Sequence, residues 1–83
     1  MYDILFYKSA KDKLKKLPLD IQKRIVKVLE RIRIRPFSFV ERKVGTPYYK
    51  LRVGDYRLVL DVKQKELIIL VIDLGHRSTV YKR

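Results

Sequence analysis

Eighty-three residues make one domain with a thin core and no room for a separate cofactor-binding unit. Lys and Arg number 21 against 9 Asp and Glu, a formal net charge of +12, well beyond the magnitude of about 2–8 usual for a small soluble domain. The lack of cysteine excludes disulfides and thiolate metal sites, one histidine among scattered acids offers no metal-ligand set, and no apolar run approaches the roughly 20 residues of a membrane span. What remains is a basic domain for a polyanionic partner, nucleic acid or an acidic protein, or else a lysine-rich solvated surface. Met1-Tyr2-Asp3-Ile4 does not read as a secretion signal, so residues 1–83 are expected to form one cytoplasmic domain with no membrane partner.

Tyr2 to Tyr7 is a short run of aromatic and branched residues that predicts a strand. Ser9 is then placed to cap a helix, with Asp12 where a capping-box acid would stand. Ala10, Leu14 and Leu17 line one side of that helix, and Lys8, Lys11, Lys13, Lys15 and Lys16 surround them. Pro18 breaks the helix and begins the next. There Ile21, Ile25, Val28, Leu29 and Ile32 fall on one helical face. Arg24, Arg31, Arg33 and Arg35 read as a solvated surface, and Pro36 ends the helix.

Phe37 to Pro47 reads as a loop, after which the period changes to two. In Val53-Gly54-Asp55-Tyr56, glycine stands at the first central position of a two-residue turn, the type II′ requirement. Lys63 to Glu66 is a polar turn, and Leu67 to Ile72, apolar on both sides, predicts a central strand. The order is β-α-α-β-β-β, an α+β fold with a helix hairpin packed on one face of a small, mainly antiparallel sheet.

In the segment from Tyr48 to Arg57 the turn is expected to place three cations and three tyrosines on one small sheet surface. Lys50 and Arg52 project from the same side of one strand, and the two-residue turn sets Arg52 opposite Arg57. Like charges in that arrangement repel, and an anion between them, held by guanidinium forks, would relieve the repulsion. The plainer alternative is ordinary surface cations with Asp55 or Asp61 as partners. A second cluster, Gly75-His76-Arg77-Ser78-Thr79-Val80-Tyr81, ends the chain. His76 reads either as a hydrogen-bonded structural histidine or as a site residue, and Tyr81 either as a core aromatic or as a site residue.

There is no Ser-His-Asp set, no Gly-rich phosphate loop and no carboxylate pair. RNA, however, carries its own nucleophile in the 2′-hydroxyl. Cleavage by that route needs a group to take the 2′ proton, cations to stabilise the phosphorane and an acid for the 5′ oxygen. Tyrosines add surfaces on which bases stack.

The stretch Lys50-Leu51-Arg52-Val53-Gly54-Asp55-Tyr56-Arg57-Leu58-Val59, with Leu74-Gly75-His76-Arg77 and Val80-Tyr81, resembles the RelE/ParE toxin superfamily. The length and element order agree with it over nearly the whole chain. The resemblance implies the toxin of a type II toxin–antitoxin pair. Its RelE branch cuts mRNA in the ribosomal A site without a metal or other cofactor. On that basis Lys50, Arg57, Arg77 and Tyr81 are the expected catalytic residues, and Arg52, Lys43, Tyr48 and His76 the expected RNA-binding ones. Tyr48 stands where that branch more often has a lysine, a role that Lys43 could fill from the loop. The implied partners are a RelB-like antitoxin with an acidic amphipathic segment, the ribosome and mRNA. Two alternatives stay open: a non-catalytic ParE-like inhibitor of DNA gyrase, and a basic RNA-binding module.

Overall fold

A computed structural model describes residues 1–76. The chain runs β1 (Asp3–Phe6), α1 (Lys8–Lys15), α2 (Leu19–Ile32), a 3₁₀ turn (Pro36–Ser38), β2 (Glu41–Arg42), β3 (Tyr49–Val53), β4 (Tyr56–Lys63) and β5 (Ile68–His76). The five strands form one sheet in the order β1-β5-β4-β3-β2. β1 is parallel to β5 and the other pairs are antiparallel. This is the expected α+β arrangement, with β5 between two neighbours as its apolar composition predicts. Among the described residues no helix is long and apolar enough to cross a membrane.

One face of the sheet supplies Leu51, Val53, Leu58, Leu60, Ile69, Val71 and Leu74 to the core, and the helices supply Ala10, Ile25, Leu29 and Ile32. The 3.6-residue pattern of α2 thus meets the two-residue pattern of the strands. Leu14, Leu17, Ile21 and Val28 pack at the margins, so both helical stripes lie where the sequence puts them.

Several boundaries differ from expectation, each for a backbone reason. Tyr7, not Ser9, is the residue before α1, and no side chain caps that helix. The Tyr7 N–H donates to the Val71 carbonyl and its own carbonyl accepts from Lys11, both at 2.9 Å. One residue therefore closes the β1 ladder and opens the helix, and Ser9 falls inside the first turn. Asp12 pairs instead with Lys8 at 3.7 Å.

α2 ends at Ile32, short of Pro36. The Arg33 carbonyl accepts from the Tyr2 N–H at 2.9 Å, and Arg33 Nε donates to the Tyr2 carbonyl at 2.7 Å. Its guanidinium also bonds Glu30 at 3.0 Å and lies 3.6 Å from Asp3. Arg33 is thus a latch between the end of α2 and the start of β1, not a solvated cation. Hydrogen bonds to a charged group of this kind are worth about 1.5–3 kcal/mol.

The segment predicted as a loop contains β2. Glu41 lies opposite Lys50 and Arg42 opposite Tyr49, and the Lys43 N–H extends the ladder to the Tyr48 carbonyl at 2.9 Å. Two exposed residues carry no detectable period, so sequence pattern has nothing to register there.

The turn between β3 and β4 is as expected. Gly54 has φ +59 while Asp55 is not in the positive region, the combination of type II′. A Cβ at Gly54 would sit 3.3 Å from the Arg24 guanidinium of α2. Gly54→Ala is expected to destabilise the protein by about 1–2 kcal/mol through the left-handed backbone alone. Urea unfolding should show that adding Arg24→Ala restores little of this loss, because it removes the contact and leaves the dihedral penalty.

Candidate functional site

Directly opposed residues in a sheet share a face, so the register fixes which side chains meet. Leu51 faces Leu58 and Leu74 across the strands, on the side of the helices. The neighbouring rungs, Lys50–Val59–Asp73 and Arg52–Arg57–Gly75, therefore lie on the side away from the helices. The structure thus brings Lys50, Arg52 and Arg57 together on one distal face. Lys43 and Tyr48 continue that face beyond the ends of β2 and β3.

The three cations are not equivalent. Arg52 is exposed, Lys50 is half-buried with Glu41 opposite it on β2, and Arg57 is only 8% exposed. A guanidinium stays charged even when sheltered, and its field is stronger away from bulk water. The third position of the Arg52–Arg57–Gly75 rung carries no side chain. Like charges directly opposite one another in a sheet are destabilising. That rung therefore favours an anion at the one place where β3, β4 and β5 offer two guanidinium groups and a glycine.

The tyrosines divide between the faces. Tyr49 turns toward the helix side, edge-on to Phe37 with ring centroids 5.2 Å apart and the Arg42 guanidinium 6.0 Å from its ring. Tyr56 lies on the Val53 rung and meets His76 edge-on at 5.5 Å. Of the hairpin's tyrosines, only Tyr48 shares the side of the cations. The same rung puts His76 on the helix side of the sheet, lining a groove with Lys13, Lys16 and Leu17 of the α1 region. His76 therefore lies on the opposite side of the sheet from Arg57. Arg77 and Tyr81 lie outside the described residues.

Acidic neighbours were not legible as part of this face. Glu41 enters through β2 and Asp73 through a register shift between Val59 and Leu60, where β5 has an extra residue. Bulges of this kind re-aim side chains and leave no mark in the sequence pattern. Asp61, on the same face, bonds Lys63 at 3.2 Å. That hydrogen bond, with the Asp61 charge, raises the Lys63 pKa above its ordinary 10.5. The stabilisation linked to the Lys63 proton is therefore present at neutral pH and is lost as pH rises through the raised value. Among the described residues no group of three or more His, Cys, Asp and Glu side chains converges as a metal site would require.

A family model described as the ParE toxin of the type II toxin–antitoxin system, parDE, matches residues 4–81. No curated protein matches the chain. Among solved structures, it is similar to a chain of the intact Escherichia coli RelBE toxin–antitoxin complex, with 27% identity over 92% of this chain and 96% of that one and a TM-score of 0.79. A chain of the archaeal RelE–RelB complex from Pyrococcus horikoshii OT3 is 26% identical over 92% and 94%, with a TM-score of 0.79. The RelB–RelE complex of Methanococcus jannaschii gives 28% identity over 94% and 95%, with a TM-score of 0.71.

The like-charge rung carries a prediction of its own. Arg52→Glu replaces the exposed member with an anion opposite Arg57. It is expected to raise stability by about 0.5–1 kcal/mol at low salt. The gain should shrink in 1 M NaCl, as read from urea midpoints.

Proposed function

The chain belongs to the ParE family of type II toxin–antitoxin toxins, within the wider RelE/ParE superfamily, and on that premise we propose that it stops translation by cutting mRNA in the ribosomal A site. The observation that carries this is the Arg52–Arg57 rung beside Lys50, with Arg57 only 8% exposed. A sheet face of this kind suits a phosphodiester whose charge increases during reaction.

In the proposed reaction the RNA 2′-oxygen bonds to the adjacent phosphorus and the P–O5′ bond breaks. The 2′ proton leaves to a base and the 5′ oxygen takes up a proton. The products are a 2′,3′-cyclic phosphate and a 5′-hydroxyl. Arg57 stabilises the dianionic phosphorane, whose charge exceeds that of the substrate, so its interaction grows toward the transition state. Lys50 assists electrostatically or delivers the proton to the 5′ oxygen. Arg52, at the exposed end of the rung, holds the RNA backbone, and Lys43 and Tyr48 lie along its path. By resemblance alone, Arg77 supplies a second guanidinium and Tyr81 orients the 2′-hydroxyl.

The proposed partner in the resting cell is a RelB-like antitoxin with an acidic segment, which would complement the +12 charge of this chain. Ribosomes as substrate carriers place the activity in the cytoplasm. The ParE description of the matching family model favours a second reading, inhibition of DNA gyrase without RNA cleavage.

One experiment separates the two readings. Purified protein is added to ribosomes programmed with a defined mRNA, and 5′ ends are mapped; gyrase supercoiling is measured in parallel. Wild type is expected to cut in the A site. Arg57→Ala, with its fold checked by thermal unfolding, should cut about 10²–10³-fold more slowly, the usual loss when one charge-stabilising donor is removed. Arg57→Lys should recover only part of that, because an ammonium lacks the bidentate fork. Intact mRNA with blocked supercoiling would replace this reading by the gyrase one.

A further inference from the structure

The distal face is cationic at Lys50, Arg52 and Arg57, yet it also carries a carboxylate. Asp73 lies opposite Val59, whose neighbour on β3 is Lys50. It stands two residues before Gly75, the residue opposite Arg57, so Asp73 and Arg57 are diagonal neighbours. Diagonal positions in an antiparallel pair are about 7–8 Å apart, a span that arginine and aspartate side chains bridge together. A carboxylate there is a natural competitor of phosphate for the same guanidinium.

One contact of that carboxylate comes from outside the sheet, from α1. Asp73 Oδ1 accepts from Lys13 Nζ at 2.6 Å and from the Leu74 backbone N–H at 2.9 Å. Lys13 belongs to α1, which packs against β5, whereas β1 pairs with β5 only as far as Val71. Both partners are partly withdrawn from water, with side-chain exposures of 39% and 24%. The lysine thus meets the carboxylate where β5 has its extra residue and where β1 no longer covers the strand.

We propose that Lys13 is a positioning residue: it neutralises the Asp73 carboxylate and holds it toward α1, so that the carboxylate does not compete with an RNA phosphate for Arg57. The inference rests on the distal face being a phosphodiester site. It assigns a role in that site to a lysine of the first helix whose composition reads as plain solvated surface. Loss of Lys13 would release an anion beside the cations, and a second change that removes that anion would cancel the loss.

The test uses a short 2′-O-methyl RNA, which has phosphodiesters and no free nucleophile. Its affinity is measured by fluorescence anisotropy for wild type, Lys13→Met, Lys13→Arg, Asp73→Asn and the Lys13→Met/Asp73→Asn double variant. Unfolding midpoints and mRNA cutting on programmed ribosomes are recorded beside it. Lys13→Met is expected to bind roughly tenfold more weakly, the effect of one added anionic charge near the site. Lys13→Arg should bind as wild type does. Asp73→Asn keeps its Oδ1 as an acceptor for both donors, and should bind at least as tightly as wild type. The double variant should regain wild-type affinity. A purely structural ion pair predicts the reverse, with Asp73→Asn as weak as Lys13→Met and the double variant no better; that result overturns the proposal. Wild-type affinity in Lys13→Met overturns it as well. If Lys13→Met does not fold, weaker binding by Asp73→Asn suffices to reject it. The expected binding pattern without any cut mRNA would support the role of Lys13 and remove the proposed activity.

Discussion

The register of the β3–β4 hairpin governs what this molecule can do. A type II′ turn with Gly54 at φ +59 pairs Val53 with Tyr56, and every later rung follows from that. A shift of one residue would turn Leu51, Val53, Leu58 and Leu60 out of the core and carry Lys50, Arg52 and Arg57 into it. Core and cationic face are thus two consequences of one turn. The glycine is required for its backbone angle; the Arg24 guanidinium, 3.3 Å from the position a Cβ would take, is the end of a flexible side chain and can move aside.

Charge is handled differently in different parts of the molecule. Arg33 and Lys13 are drawn into contacts that join distant segments, the first tying α2 to β1 and the second tying α1 to β5. The lysines exposed on the helices carry the net charge without such ties. On the distal face, Arg52 and Arg57 stand directly opposite each other, and like charges so placed favour an anion nearby. Interactions among exposed charges are strongly screened by salt, whereas the sheltered Arg57 is screened less. Long-range attraction of a polyanion and close contact with a single anionic group should therefore respond differently to ionic strength.

Much of this was legible before any coordinates. The five apolar positions of α2 fix its core stripe, and Gly54-Asp55 fixes the hairpin and therefore the Arg52–Arg57 rung. What escaped was long-range or too short to have a period. Arg33 looks like any arginine near a helix end until Tyr2 returns beside it. Lys13 looks like its four neighbouring lysines until Asp73 arrives on β5. β2 is two residues long, and the irregularity opposite Val59 has no sequence signature. The placing of three tyrosines on one surface was a different kind of error: Tyr48 and Tyr49 are adjacent, and a period of two already sends them to opposite faces. His76 shows the same rule from the other side, since Gly75 before it takes the position opposite Arg57.

The parallel pairing of β1 with β5 has a consequence for how the chain comes into being. Asp3 to Phe6 are made well before their partners Ile68 to Val71. A nascent chain leaves the ribosome from its N-terminus, so β1 lacks its sheet neighbour until β5 has emerged. Helices and the β3–β4 hairpin rely on local contacts and can form early; the sheet closes only at the end, across the longest separation in sequence, which is the slow kind of step in folding. A protein assembled in this order carries its cationic hairpin before it can close its sheet.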